Sequence, residues 1–248
     1  MCIAKIISNA GFLALALLGA AFASPLPLSL TGNALNVNVE RQDYSMDGGG
    51  AFIARVANNS HFTNSALTTF WCVDNENNVG LPDTYLANIT PLGNWTGGAN
   101  SSVRKGTYVR ASDWNDHASL TPLQRYQAAA WLITQTTYFK GSARNNGEDI
   151  LIQHAIWSLT DLAGVSPDNP HDWQNPYYTA ATTHITTTGA NFGKGSWAVV
   201  SGVVDADGHI TSNTRQTFLV QVVPEPGTYA LMGAGLIILA CLRRRRTS

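Results

Sequence analysis

The sequence predicts a β-rich α+β domain: an antiparallel β-sandwich or barrel core with a helical insert carrying two glutamine motifs. Three observations predict it. Short runs rich in Val, Thr, Phe and Trp, bounded by Gly, Asn and Asp, recur towards both ends of the chain. Between them the apolar spacing turns helical and acquires helix-start signals. Charged residues make up only 12% of the chain, about half the usual fraction, while Asn, Thr, Ser and Gly are plentiful, as in many secreted β-rich proteins.

Taken in order, residues 24–45 alternate weakly through LSLTGNALNVNV and read as one or two strands. DGGGAFIARV gives a glycine turn leading into a strand, and SALTTFWCVD is a strand by its Thr, Phe, Trp and Val content. From Asn75 to Asp116 the chain is turn-rich, with short extended pieces such as GTYVRAS. Thr121-Pro122-Leu123-Gln124 supplies an N-cap, a proline at N1 and a glutamine at N3, the elements of a capping box. Leu123, Tyr126, Gln127, Ala130, Trp131 and Thr134 then share one helical face. A second helix starts near Glu148-Asp149, whose charges suit a helix N-terminus, and runs through DILIQHAIWSLTD. Each of these helices has a glutamine four residues before a tryptophan: Gln127 with Trp131, and Gln153 with Trp157. A third helix begins at Asn175-Pro176. WAVVSGVVDADGHITS reads as a hairpin turning at Asp207-Gly208, and QTFLVQVV as a final strand. No internal repeat is visible.

Both ends read as processing signals. Lys5, an apolar stretch from Ala10 to Ala23 and the A-x-A arrangement of Ala21 and Ala23 have the layout of a cleavable secretory signal, with cleavage expected after Ala23. At the other end Pro224-Glu225-Pro226 precedes the apolar stretch Tyr229 to Leu242 and the cluster Arg243, Arg244, Arg245 and Arg246. That stretch is short against the about 20 residues a bilayer span requires, and the arginines would hold its end on the cytoplasmic side, as a transient membrane stop. The order of Pro-Glu-Pro, apolar helix and arginine cluster resembles the PEP-CTERM sorting signal. The resemblance implies a bacterial envelope protein processed by an exosortase near the Pro-Glu-Pro. A plain tail anchor is the alternative. The organisation expected is a signal peptide over 1–23, a domain over 24–223 and a sorting signal over 224–248.

Setting aside Lys5 and the four terminal arginines leaves ten basic residues against sixteen acidic, a balance of −6. Such a body disfavours nucleic acid and anionic lipid as partners. Cys2 and Cys241 lie in the two processing segments, so the domain keeps one cysteine, Cys72. An odd cysteine in an exported protein raises the question of a reactive thiol; a small buried hydrophobe is the plainer reading. Buried glutamines need hydrogen-bond partners, and their plainer reading is the satisfaction of backbone groups. Together, however, a thiol and a carboxamide can condense to a thioester with loss of ammonia. That chemistry needs no metal or cofactor. It needs proximity, exclusion of water and donors for the oxyanion. Trp71 and Trp157 are the expected shields.

At these residues the chain resembles the Cys–Gln thioester domains of bacterial surface adhesins, marked by a TQxA-type motif. Trp71-Cys72-Val73 matches the family's cysteine element loosely. Tyr126-Gln127-Ala128-Ala129-Ala130-Trp131 fits its second element, and Ile152-Gln153-His154-Ala155-Ile156-Trp157 fits its third except at Ile152, where the family has threonine. The resemblance implies Cys72 as thioester sulfur, Gln153 as acyl donor and Gln127 as a buried glutamine ordering the site. It also implies single-turnover covalent attachment to an amine-bearing surface molecule, hence an adhesin rather than an enzyme. His154 points about 100° from Gln153 on a helix and is not expected to be the base.

Other classes have weaker footing. None of His61, His117, His154, His171 and His184 sits in a recognisable hydrolase motif with Cys72, and no pair of histidines and carboxylates has convincing metal-ligand spacing. The main competitor is a structural or exopolysaccharide-binding matrix protein with no thioester, using Trp95, Trp114 and Trp173 for sugar stacking. The N-x-S/T triplets at Asn58, Asn88, Asn94 and Asn100 read as turns.

Overall fold

The computed structural model describes residues 25–27, 32–58, 61–63, 65–74, 79–94, 120–160, 175–187, 189–202 and 216–223. Outside them lie the segment read as a signal peptide, Trp95, Trp114 and Trp173, the Asp207-Gly208 turn and the sorting tail from Pro224.

Seven strands are present among the described residues: β1 (Leu26–Pro27), β2 (Gly32–Met46), β3 (Gly49–Ala57), β4 (Thr68–Cys72), β5 (Asp83–Pro91), β6 (Trp197–Gly202) and β7 (Phe218–Val223). Six of them follow one another as β7-β4-β3-β2-β5-β6, and β6 pairs back onto β7. All of those pairings are antiparallel, so the sheet closes into a barrel without free edges. Of the two β architectures expected, the molecule is the barrel. β1 adds in parallel to β7, Leu26 opposite Val222.

Side-chain alternation gives the barrel wall two apolar faces. Val37, Val39, Phe52, Ala54, Val56, Phe70, Cys72, Ala87, Ile89, Phe218 and Val220 fill one cluster. The intervening Ala51, Trp71, Val199 and Leu219 join a second cluster with the helices. The register of β2 against β3 slips between Val39 and Arg41 and again between Gln42 and Tyr44, as β-bulges produce. Beyond Val39, β2 continues with β3 as a ribbon whose tip turns at Asp47 and Gly48, both at positive φ.

β5 is the strand the sequence reading passed over. Its burial alternates only partly, Leu86 is 47% exposed and polar Thr84, Asn88 and Thr90 interrupt it, so the apolar signal is weak. Barrel closure supplies what propensity does not: β5 pairs on both sides, with β2 and β6.

Between β5 and β6 the described chain forms α1 (Pro122–Ile133), α2 (Thr137–Lys140), α3 (Asn146–Thr160) and α4 (Pro176–Thr187). The Thr121 capping box is formed: Thr121 Oγ1 accepts from the Gln124 amide, and Gln124 Oε1 accepts from the Thr121 amide. At the start of α4, Asn175 Oδ1 accepts from the Tyr177 amide, with Pro176 at N1. The stripe expected on α1 differs from the buried surface. Ala128, Ala129, Leu132 and Ile133 are buried too, while Trp131 is only partly so. A helix packed against both α3 and α4 is apolar most of the way round. On α3, Asp149 does not serve the helix N-terminus in water. It is fully buried and accepts from the Thr137 amide (2.8 Å), the Thr137 hydroxyl and the Tyr44 hydroxyl (2.5 Å).

Three tyrosines on this side donate to carboxylates. Burial, then the bond to Asp43, pushes the Tyr138 phenol from 10.0 up to about 12. Burial, then the bond to Glu148, does the same for Tyr177, to about 12. Tyr44 is raised by burial and by Asp149. A folded-state pKa above the unfolded value stabilises the fold fully below pH 10 and ceases to do so as pH rises from 10 to about 12. The denaturant midpoint is therefore expected to be flat up to pH 10 and to fall across that window. Tyr138→Phe should shrink the fall; an equal fall in Tyr138→Phe and the parent would refute the assignment.

Candidate cross-linking site

β4 ends at Cys72, whose side chain belongs to the barrel cluster and is 1% exposed. Its neighbour Trp71 belongs to the helical cluster and meets Tyr138 edge-on, with ring centroids 5.2 to 5.4 Å apart in the Tyr44–Tyr138–Trp71 group. Successive strand residues face opposite ways, so Trp71 shields the other side of the wall, not the sulfur. That corrects one of the two expected shields.

α3 brings Gln153 to the same strand end. The carboxamide is fully buried, and Nε2 donates to the backbone carbonyl of Cys72 at 3.1 Å. Its Oε1 accepts from the backbone amide of Gly50 at 2.9 Å. The ribbon tip makes room for it. A Cβ on Gly49 would fall 2.6 Å from Gln153 Cδ and 2.7 Å from Trp157 Cζ2. Trp157, one turn beyond Gln153, thus packs with it against Gly49. It is also stacked with His154, whose Nε2 lies 2.7 Å from Asp47 Oδ2 at the ribbon tip. Asp47 and His154 tie the ribbon to α3 at the solvent side of the buried carboxamide.

The sulfur has a different neighbour. Gln216 Nε2 donates to Cys72 Sγ at 2.8 Å and to the Asp74 carbonyl at 3.0 Å. The thiol in turn donates to the Asp74 carbonyl at 3.4 Å. Two bonds hold the segments together: the Val73 amide donates to the Thr217 carbonyl at 3.1 Å, and the Thr217 amide donates to the Asp74 carboxylate at 3.2 Å. Thr160, at the end of α3, donates to the Val73 carbonyl at 2.6 Å. Cys72 therefore sits between two carboxamides, Gln153 at its carbonyl and Gln216 at its sulfur.

Gln127 lies elsewhere. Its Nε2 donates to the carbonyls of Ala190 (3.0 Å) and Phe192 (2.9 Å), bracing the loop before β6. It orders the approach of β6 to the barrel and makes no hydrogen bond to Cys72 or Gln153. Among the described residues, no group of three His, Cys, Asp or Glu side chains could hold a metal ion.

β7 leaves the barrel at Val223, beside β1. Residues 222–246 match the PEP-CTERM protein-sorting motif. The protein is exported, to the cell envelope or surface, and its tail carries the signal for exosortase processing. The match begins on the last residues of β7, so the sorting motif follows the barrel directly. No curated protein and no solved structure matches the chain. Among the described residues no helix is long and apolar enough to cross a membrane; the apolar stretch Tyr229 to Leu242 lies outside them.

Three parts of the site escaped the sequence reading. DGGG registers as a turn, but only the packing reveals that Gly49 clears space for a carboxamide and that Gly50 donates to it. Asp74 closes the cysteine strand with no motif of its own. Gln216 heads the final apolar strand, and its signal is that a glutamine opens so apolar a run.

Proposed function

We propose that the protein is a surface adhesion protein that attaches to amine-bearing molecules through a Cys72–Gln153 thioester. The observation that carries this reading is the setting of Gln153: a fully buried carboxamide on the cysteine's own strand end, with its oxygen on the Gly50 amide. In the condensation, the Cys72 sulfur bonds to Gln153 Cδ. The Cδ–Nε2 bond breaks, and the thiol proton leaves with that nitrogen as ammonia. In the structure the sulfur rests against Gln216 Nε2, and the bond to Cδ requires it to leave that contact. The Gly50 amide already points at the atom on which negative charge develops, as an oxyanion-hole donor does. Burial of Cys72, Gln153 and Trp157 protects the resulting ester from hydrolysis. An amine then adds to Cδ and expels the Cys72 thiolate, leaving the protein tethered by an amide.

Cell-surface placement is where such attachment would be used, and the sorting motif over residues 222–246 fits that route. The test is the intact mass of the purified protein. A mass lower by one ammonia, and a gain of one methylamine on incubation with that amine, are expected. Gln153→Ala should show neither and should expose an alkylatable thiol. An unmodified mass with no methylamine adduct and an alkylatable Cys72 in the native protein would sink the reading.

A further inference from the structure

We propose that β1 is a strap on the sorting signal. It holds the first two residues of the motif in the barrel wall, so exosortase cuts the folded protein beyond Val223, at a rate set by release of β1. The sorting motif begins at Val222, whereas β7 runs to Val223, so the two overlap. Neither antiparallel neighbour of β7 pairs with these residues: β4 pairs only as far as Val220 and β6 only as far as Gln221. Two other groups hold them. The Ser196 carbonyl accepts from the Val222 amide at 2.8 Å, and β1 lies alongside with Leu26 opposite Val222 and Pro27 opposite Val223. Leu26 and Val222 are each 1% exposed and belong to the same apolar cluster as Phe218 and Val220.

A processing enzyme needs accessible chain on both sides of the bond it cuts, and buried, paired backbone does not offer it. With β1 docked, nothing up to Val223 is on offer. The cut beyond it breaks one peptide bond. The carbonyl carbon passes to a nucleophile brought by exosortase, water or an acceptor amine, whose proton goes to the departing nitrogen of the tail. β1 is built to let go before the barrel does. It pairs through two residues, one of them a proline with no N–H to contribute. It also lies outside the closed ring of six strands, so its release opens no barrel seam and is a local event. Release uncovers the end of β7 at Val222 and Val223, the start of the motif. None of this involves Cys72, and the strap stands whether or not a thioester forms.

The test is a pulse-chase of the full-length chain in a bacterium whose exosortase processes it, with the mass of the retained domain as a second readout. The parent domain is expected to end at Val223 or beyond. Leu26→Asp puts a carboxylate into the apolar cluster and undocks β1. It should speed loss of the tail by about tenfold, as the open population rises. Leu26→Ala, which only loosens the strap, should give a smaller gain in the same direction. A short Gly-Ser spacer between Val223 and Pro224 sets the motif clear of the strap. It should speed processing as much as Leu26→Asp, and combining the two should gain nothing more. Thermal melting of each purified variant confirms that the barrel has formed. Parent rates in the Leu26 and spacer variants overturn the proposal, as does a parent domain ending before Val223. Acceleration by the Leu26 variants without acceleration by the spacer also overturns it, because unfolding rather than strap release would then expose the tail. So does acceleration by the spacer alone, which would make the barrel body the obstacle.

Discussion

Gly49→Ala is expected to yield a folded protein with no thioester: full mass, no methylamine adduct and a thiol that alkylates. The added Cβ would stand 2.6 Å from Gln153 Cδ and 2.7 Å from Trp157 Cζ2, both side-chain atoms. Those atoms can give way, so the fold survives at a cost of about 1–3 kcal/mol for overpacking. What does not survive is the geometry. Displacing the carboxamide pulls Oε1 off the Gly50 amide and Nε2 off the Cys72 carbonyl. A misplacement of about 1 Å at a reacting centre costs on the order of a hundredfold in rate. The two neighbouring glycines bracket this result. Gly48 has φ 86° and open space beyond its Cα, so Gly48→Ala should cost about 1 kcal/mol and leave the cross-link intact. Gly50 has φ 104°, and a Cβ there would lie 2.1 Å from the Tyr44 carbonyl oxygen, a backbone atom that cannot swing aside. Gly50→Ala should therefore unfold the ribbon itself. Mass spectrometry separates the first two variants, and thermal melting separates the third. A Gly49→Ala protein that still takes up methylamine at the parent rate would show that the ribbon does not position Gln153.

Much of the fold's local grammar is legible in the chain, because it depends on near neighbours. The capping box at Thr121 and the Asn175-Pro176 start of α4 form as their residue types dictate. Trp157 shares a face with Gln153 because four residues make about one helical turn. Strand parity is equally local, and it decides against Trp71: adjacent to Cys72 in sequence, it must face the opposite side of the wall. The barrel is not legible in this way. Its closure rests on β6 meeting β7 and on β5 finding two partners, and β5 carries too weak an alternation to announce itself. Nor is the role of Gln127 legible, since a buried glutamine in a helix gives no sign of which carbonyls it satisfies. Gln216 and Gly50 are the clearest cases: their importance comes from which atoms they touch across the barrel, 144 positions from Cys72 and 103 from Gln153.

Asp149→Ala is expected to be the most damaging substitution for stability. The Asp149 carboxylate takes the Thr137 amide on one oxygen and the Thr137 and Tyr44 hydroxyls on the other, in a setting closed to water. Truncation leaves the Thr137 N–H buried without its acceptor and deprives Tyr44 of its charged partner, at about 3 kcal/mol in all. For a domain of this size that is roughly 6–12 °C in melting temperature. The consequence reaches the cross-linking site because Asp149 lies one turn before Gln153 on α3, and Tyr44 lies on the ribbon that carries Gly49 and Gly50. The carboxylate thus pins the helix that bears the acyl group to the ribbon that bears its oxyanion donor. Asp149→Asn keeps the shape and one acceptor oxygen, but its second position donates and must face hydroxyls. Those hydroxyls can reverse, whereas the Thr137 amide cannot. Asn is therefore expected to retain part of the stability and part of the thioester, and Ala to lose most of both. Should Asp149→Ala melt with the parent, α3 is held in place by its apolar packing alone, and the methylamine reaction would be expected to continue undiminished.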